Sequence, residues 1–352
     1  MKKVISLCLT VALAVSMFAG CSCGRDSEID KEAGYKVDKY IKLGKYKGFD
    51  YDIDQKKFDE ELAFNTYDAQ GVYRAAKMGD EIEFTQAGYI GGKKVDDLSG
   101  RDIEISTAKK NNAFITKVSK ALIGKKEGDT ATIRVSGKEA SLASRNKKEY
   151  NQDVVFKLKV KAVNEVHYPK VTDKWLKEES MVDASSVKEF FDMIEDELET
   201  NAVGKLWQKA IDNAKMTSWP PKLYDKVKKE AEQNAAYEAE DMSMSVDEYY
   251  KTNGDTKESL EKDYLNEVKS ALVMWAIVKE EDIKVTKKEI EDRYKEMLEV
   301  DLADDDDYKT IADVKKNYPE SEIKEAVYLN KAQIFVYDNS NVKKTYKVHN
   351  NK

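Results

Sequence analysis

The chain has 352 residues, enough for two or three domains, of which 36% are charged, with a formal net charge of -7. Acidic balance of this kind argues against nucleic-acid binding, which draws on counterion release by Lys and Arg. The two histidines, His167 and His349, stand far apart, so neither a zinc site nor a histidine-based triad is expected. No glycine loop of the phosphate-binding kind occurs, and no cofactor is expected.

The N-terminus reads MKKVISLCLTVALAVSMFAGC. Lys2 and Lys3 precede an apolar run from Val4 to Phe18, and the small residues Ala19 and Gly20 lead directly into Cys21. That order is the pattern of an export signal. The run is about fifteen residues, short of the ~20 that span a bilayer. FAGC resembles the lipobox of bacterial lipoproteins, with Phe18 in place of the usual Leu. The resemblance implies a signal peptide over residues 1–20, acylation of Cys21, and a lipid anchor on the extracytoplasmic face of the cell membrane. Each buried CH2 of such an anchor contributes roughly 0.8 kcal/mol. Cys8 would leave with the signal, so Cys23 has no partner for an intramolecular disulfide. Residues 21–34 are polar and aperiodic and read as a flexible tether.

Residues 35–76 carry a short strand, YIKLGKYKGFDYDI, and a helix-like run from Lys56 with Phe58, Leu62 and Phe64. Strand-like alternation dominates residues 77–168. Ile82 and Phe84 share one face, as do Ile103 and Ile105, and Phe156, Leu158 and Val160 alternate with Lys157, Lys159 and Lys161. Gly91-Gly92 and GKKEGD supply turns. Between these strands a short helix is expected, with Phe114, Val118 and Leu122 along one side.

The period is helical over residues 169–352. Val187, Phe190, Phe191, Ile194 and Leu198 share a face, continued by Leu206, Trp207, Ala210 and Ile211. Ser186 with Glu189, Ser245 with Glu248, and Thr286 with Glu289 have the spacing of capping boxes. Pro220-Pro221 ends one helix and opens the next. A further helix holds Leu260, Tyr264, Val268, Leu272, Trp275 and Ala276. A helix from Val187 to Lys215 would be ~43 Å long, which suggests an extended, arm-like body. The acidic run Asp304 to Asp307 lacks the glycine and spaced Glu of an EF-hand and reads as a solvated loop.

Five strings in order carry a family resemblance. KMGDEIEFTQAGYIGGKKVDD, AFITKVSKALIGKKEGDTATIRV and VVFKLKVKAVNEVHYPKVTDKWL resemble successive parts of an FKBP-type isomerase domain. SWPPKLYDKVKKE and ALVMWAIVKEEDIKVTKKEIEDRYKEM resemble a helical chaperone domain. Together they resemble the trigger factor family over residues ~35–335. The fold this implies is α+β: a small FKBP-like antiparallel sheet domain with a short helix, joined to a mainly α-helical arm or cradle domain. The family's ribosome-docking domain has no counterpart, because a signal and tether stand in its place, so a ribosome partner is not carried over.

The resemblance implies a proline pocket at Phe84, Asp96, Ile115 and Phe156, flanked by Phe114. Its aromatic lining departs from the family pattern. Val95 and Val118 replace aromatics, Thr116-Lys117 replaces Pro-Gly, and Ser141 aligns with a tyrosine that Tyr150 is placed to substitute. Amide isomerisation crosses a barrier of ~20 kcal/mol, and an apolar pocket lowers it by shape and desolvation. The expected function is therefore a chaperone for unfolded or newly exported polypeptides, with a degenerate isomerase pocket. Met242 to Tyr250 reads first as a helix start packed on a neighbour and, as the alternative, as a client-contacting lip. An active prolyl isomerase is the alternative, and a non-catalytic scaffold or adhesive lipoprotein the second.

Overall fold

A computed structural model describes residues 28–107, 112–144, 148–178, 182–303 and 307–351. Cys21, the signal and Asp304 to Asp306 lie outside the described residues. In chain order the elements are α1 (Glu28–Ala33), β1 (Ile41–Lys42), β2 (Asp50–Ile53), α2 (Gln55–Asn65), β3 (Asp68–Gly71), β4 (Glu81–Ile90), β5 (Lys93–Ser106), α3 (Ala113–Leu122), β6 (Thr130–Val135), α4 (Gly137–Ser141) and β7 (Val154–His167). Then follow α5 (Asp173–Glu178), α6 (Val187–Asn213), β8 (Lys215–Met216), α7 (Pro221–Asp241), α8 (Val246–Asn253), α9 (Lys257–Glu280), α10 (Lys287–Glu296), α11 (Ile311–Asn317), α12 (Glu320–Asp338) and β9 (Asn341–Lys344). The described residues divide into a helical unit, within 28–62, 176–249 and 255–349, and a sheet unit, within 63–175, 250–254 and 350–351.

The sheet unit is a five-stranded antiparallel sheet in the order β3-β7-β4-β5, with β6 pairing the N-terminal half of β7. Alternation explains it: Val154, Phe156, Leu158 and Val160 of β7 point inward while Lys157, Lys159 and Lys161 face water. The β4–β5 hairpin closes through Gly91 and Gly92, both at positive φ, as a two-residue hairpin turn requires. α3 starts at Asn112, whose side chain accepts the Ile115 N–H, and buries Phe114, Val118 and Leu122 as its period predicts.

The helical unit is organised around α9. Val268 and the run Leu272 to Val278 are buried against residues of α6, α7 and α12. α6 spans 27 residues, ~40 Å at 1.5 Å per residue. Thr286 and Glu289 form the expected capping box, as do Ser245 and Glu248. At α6, Ser186 caps Glu189 N, but the Glu189 carboxylate turns to Ser185 instead. Among the described residues no helix is long and apolar enough to cross a membrane.

Residues 28–76 are shared between the two units. The expected tether, residues 21–34, ends in α1: Asp30 is buried, accepts the Val37 N–H at 3.0 Å and pairs with Lys279 of α9 at 3.0 Å. A carboxylate whose cationic partner comes from distant packing leaves no local periodicity to read. The segment 35–76 is divided between the two units. Its part up to Leu62 belongs to the helical unit, where β1 pairs β8 and β2 pairs β9, while β3 joins the sheet.

Candidate functional site

The expected pocket residues are carried by four elements of the sheet unit, β4, β5, α3 and β7. Phe84 on β4, Phe156 on β7, and Phe114 and Val118 on α3 are each at most 2% exposed. The Phe114 and Phe156 rings lie 4.8 Å apart, tilted at 58°, a geometry suited to aromatic pairs. Ile115 and Val95 are half-buried against the same cluster. These side chains pack against one another with native-like closeness.

Asp96 is not among these packed side chains. Its side chain is 93% exposed, 3.9 Å from Lys94. The cause is a bulge: Gly88 faces Val95 but Gln86 already faces Gly100. The extra residues of β5 turn Leu98 inward, Ser99 onto Val95 O, and Asp96 outward. Asp97 is the carboxylate at the cluster. It accepts the Tyr150 hydroxyl at 2.7 Å and the Ser144 hydroxyl at 2.6 Å. Burial, then the hydrogen bond to Asp97, pushes the Tyr150 phenol up to about 12. The Asp-Asp pair in the sequence gave no sign of which member turns inward.

The departures from the family pattern have local uses. Ser141 accepts the Tyr150 N–H at 2.9 Å and donates to Gly137 O at 3.0 Å. A Cβ on Gly137 would lie 2.1 Å from Tyr150 O, so only glycine admits this loop so close. Lys117 pairs with Glu139 at 2.7 Å. That ion pair and the Ser136 hydrogen bonds hold the Glu139 carboxyl down at about 2. Thr116 donates to Asn112 O at 2.9 Å. The region thus has a bound tyrosine and a tied helix end.

A second concavity in the sheet unit, about 280 Å³, was not foreseen from the sequence. Its lining includes Tyr67, Met78, Tyr168 and the buried Asp80. Arg74 donates to both Asp80 oxygens at 2.6 and 3.0 Å and pairs with Glu165 at 3.0 Å. Burial pushes the Asp80 carboxyl up, but Arg74 and the Lys77 N–H outweigh it, and the net is below the usual carboxylate range. Tyr67 donates to Glu81. Among the described residues no group of His, Cys, Asp or Glu is arranged to hold a metal ion.

In the helical unit the long apolar stripes are mostly core, including Tyr264, Val268, Leu272 and Trp275 of α9. Among its described residues the exposed large apolar side chains are Trp219, before α7, Tyr237 and Met242, at the far end of α7, and Val348, near the C-terminus. In the segment Met242 to Tyr250, Met242 is exposed while Met244, Tyr249 and Tyr250 are half-buried. α7 stops there because Ser243 takes a positive φ and Met244 N bonds back to Ala239 O.

Residues 182–337 match the family described as bacterial trigger factor protein (TF) C-terminus. The chain is 25% identical over 301 residues to the trigger factor of Thermoanaerobacter sp., covering 78% of this chain and 66% of that one. It is 27% identical over 276 residues to that of Halothermothrix orenii, with 73% and 63% covered. It is 24% identical over 346 residues to that of Caldanaerobacter subterraneus, with 90% and 75% covered. The chain thus spans slightly less than two thirds of the first of these relatives. A solved structure described as "Promiscuous Substrate Recognition in Folding and Assembly Activities of the Trigger Factor Chaperone" aligns at 17% identity and a TM-score of 0.33, covering 85% of this chain and 72% of that one. Residues 182–337 thus carry a trigger factor C-terminal domain, and the chain is similar to trigger factors over most of its length.

Proposed function

We propose that the chain is a membrane-anchored, extracytoplasmic folding factor that holds unfolded or newly exported polypeptides on its helical unit. The observation that carries the reading is the C-terminal match over 182–337, together with the exposed Tyr237 and Met242 inside it. Large adaptable side chains of this kind make weak contacts with many sequences. Several such contacts along one body add through effective concentration. The net charge of -7 keeps that surface soluble. The Ala19-Gly20-Cys21 string supports the lipid anchor.

The proline bowl is, in this reading, a structural core with little or no isomerase activity. The burial of Phe84, Phe114, Val118 and Phe156, each at most 2% exposed, supports that reading. Tyr150 is held on Asp97 beside them. The experiment uses one purified, unlipidated preparation in two assays. Aggregation of a denatured reporter should be suppressed at micromolar protein, while proline-peptide isomerisation stays near the uncatalysed rate. Rapid isomerisation without suppression would replace this reading with the isomerase one. The anchor is tested separately: Cys21→Ala should release the protein from membranes, and a processed variant that remains bound would refute it.

A further inference from the structure

The segment after α12 does not end as a loose tail. β9 pairs in parallel with β2, Asp50 opposite Asn341 through Ile53 opposite Lys344. The extended chain then continues: Asn341 N donates to Phe49 O at 2.7 Å and Thr345 N to Ile53 O at 3.0 Å. Past the strand, the Gln55 side-chain amide takes over. Its Oε1 accepts the Lys347 N–H at 2.9 Å and its Nε2 donates to Lys347 O at 3.2 Å. A side-chain amide that reads both backbone groups of one residue recognises extended chain whatever the side chain.

The side chains of this segment follow one chemistry. Lys344 pairs with Glu199. Tyr346 stacks on Phe58 with centroids 5.2 Å apart at 14° and donates to Glu195 at 2.9 Å. His349 meets Asp59 at 2.8 Å and tilts over Phe58 at 5.5 Å. The floor is therefore apolar, Phe58 and Phe191, and the walls are acidic. Asp196, on the same α6, has its carboxyl raised by burial and by Glu199, Asp192 and Glu195, with Lys344 opposing. Yet Lys343, Lys344, Thr345, Lys347, Val348 and His349 remain exposed. The segment lies on the surface and lies past the family match, which ends at 337.

We propose that the face formed by β2, Gln55 to Asp59 of α2 and the acidic side of α6 is a binding groove for extended peptide segments of basic-x-aromatic pattern, occupied in this structure by the chain's own residues 341–349. Strand addition plus a pocket for an aromatic side chain is a recurrent mode of peptide recognition. The tail acts as a tethered competitor. Its effective concentration is on the order of millimolar for a short tether, so a weakly bound external segment does not displace it, whereas a segment delivered by a client already held on the helical unit does. This deepens the client-holding reading and rests on it for the identity of the displacing chain.

The test titrates a labelled peptide of residues 341–350 into the full chain and into full-length Lys344→Ala/Tyr346→Ala. The variant should bind at least tenfold more tightly than the wild type, and adding Gln55→Ala should abolish the gain. Equal affinity in both, or no binding by a variant whose circular dichroism is unchanged, overturns the groove. If the variant loses its folded spectrum, hydrogen exchange on the wild type decides. Millimolar peptide should speed exchange in 341–349 several-fold, and unchanged protection overturns the inference. Aggregation suppression is read alongside. Peptide capture without suppression would sink client holding and leave the groove standing, and suppression without capture would do the reverse.

Discussion

Replacing Lys279 with Met tests how the chain just beyond the expected anchor is fixed. Lys279 pairs with Asp30 at 3.0 Å and with Asp38 at 2.6 Å. Asp30 keeps 7% side-chain exposure and Lys279 23%. Breaking one side of a buried pair typically costs 3–5 kcal/mol, because the other charge stays desolvated. Here the loss is smaller: Asp30 retains the Val37 N–H at 3.0 Å, and the ammonium is partly wet, where pairs count for little. We expect Lys279→Met to cost about 2 kcal/mol. Urea unfolding at pH 7 reads it through the buried Trp207 and Trp275 of the same unit. Adding Asp30→Asn to the variant should recover about 1 kcal/mol, because the stranded charge is gone. The pH dependence has a fixed sign. Burial lowers the Lys279 pKa, but Asp38 and Asp30 outweigh it, so the net is raised above 10.5. The contribution is full below about 10.5 and fades as pH rises through the folded-state value. A loss under about 0.5 kcal/mol, with no recovery in the double variant, would refute the claim that this pair fixes α1 to α9.

Three further outcomes follow from the sheet unit. Val118→Trp, which would rebuild an aromatic floor, should instead cost about 2 kcal/mol by overpacking a fully buried site and leave isomerisation near background, as thermal melts and a proline-peptide assay would record. Tyr150→Phe removes a donor from Asp97 and should cost about 1–2 kcal/mol, measured by hydrogen exchange of the β7 amides. Glu104 has its carboxyl raised, first by the hydrogen bond with Glu81 and then by burial. A raised acid stabilises only while protonated, so Glu104→Gln should raise the melting point at pH 7 and lose that advantage near pH 4.

What the sequence discloses and what it hides divide along the range of the interactions. Helix α6 and the inward face of α3 are legible because a 3.6-residue period is a local property, and β7 is legible because its Lys residues alternate with Phe, Leu and Val. The capping box at Thr286 is equally local. α1 is hidden because its buried carboxylate needs Lys279, which folding alone brings near. β9 is hidden for the same reason: its hydrogen bonds go to β2, at the opposite end of the chain, and its own residues are mostly exposed. The turn of β5 is hidden too. Asp96 and Asp97 are chemically identical, and only the bulge in β5 decides which one meets Tyr150. The groove beside Asp80 gave no motif, since Arg74 and Asp80 draw meaning from burial and not from spacing.

The measurement closest to the central claim is site-specific photocrosslinking to a denatured client. A crosslinking residue is placed at Tyr237 or Met242 of the helical unit, and for comparison at the exposed Lys126 of the sheet unit. The account predicts client adducts at Tyr237 and Met242 several-fold above those at Lys126, and none at any of these positions with the same client in its folded form. Adducts that form equally at Lys126, or there alone, would contradict client holding by the helical unit.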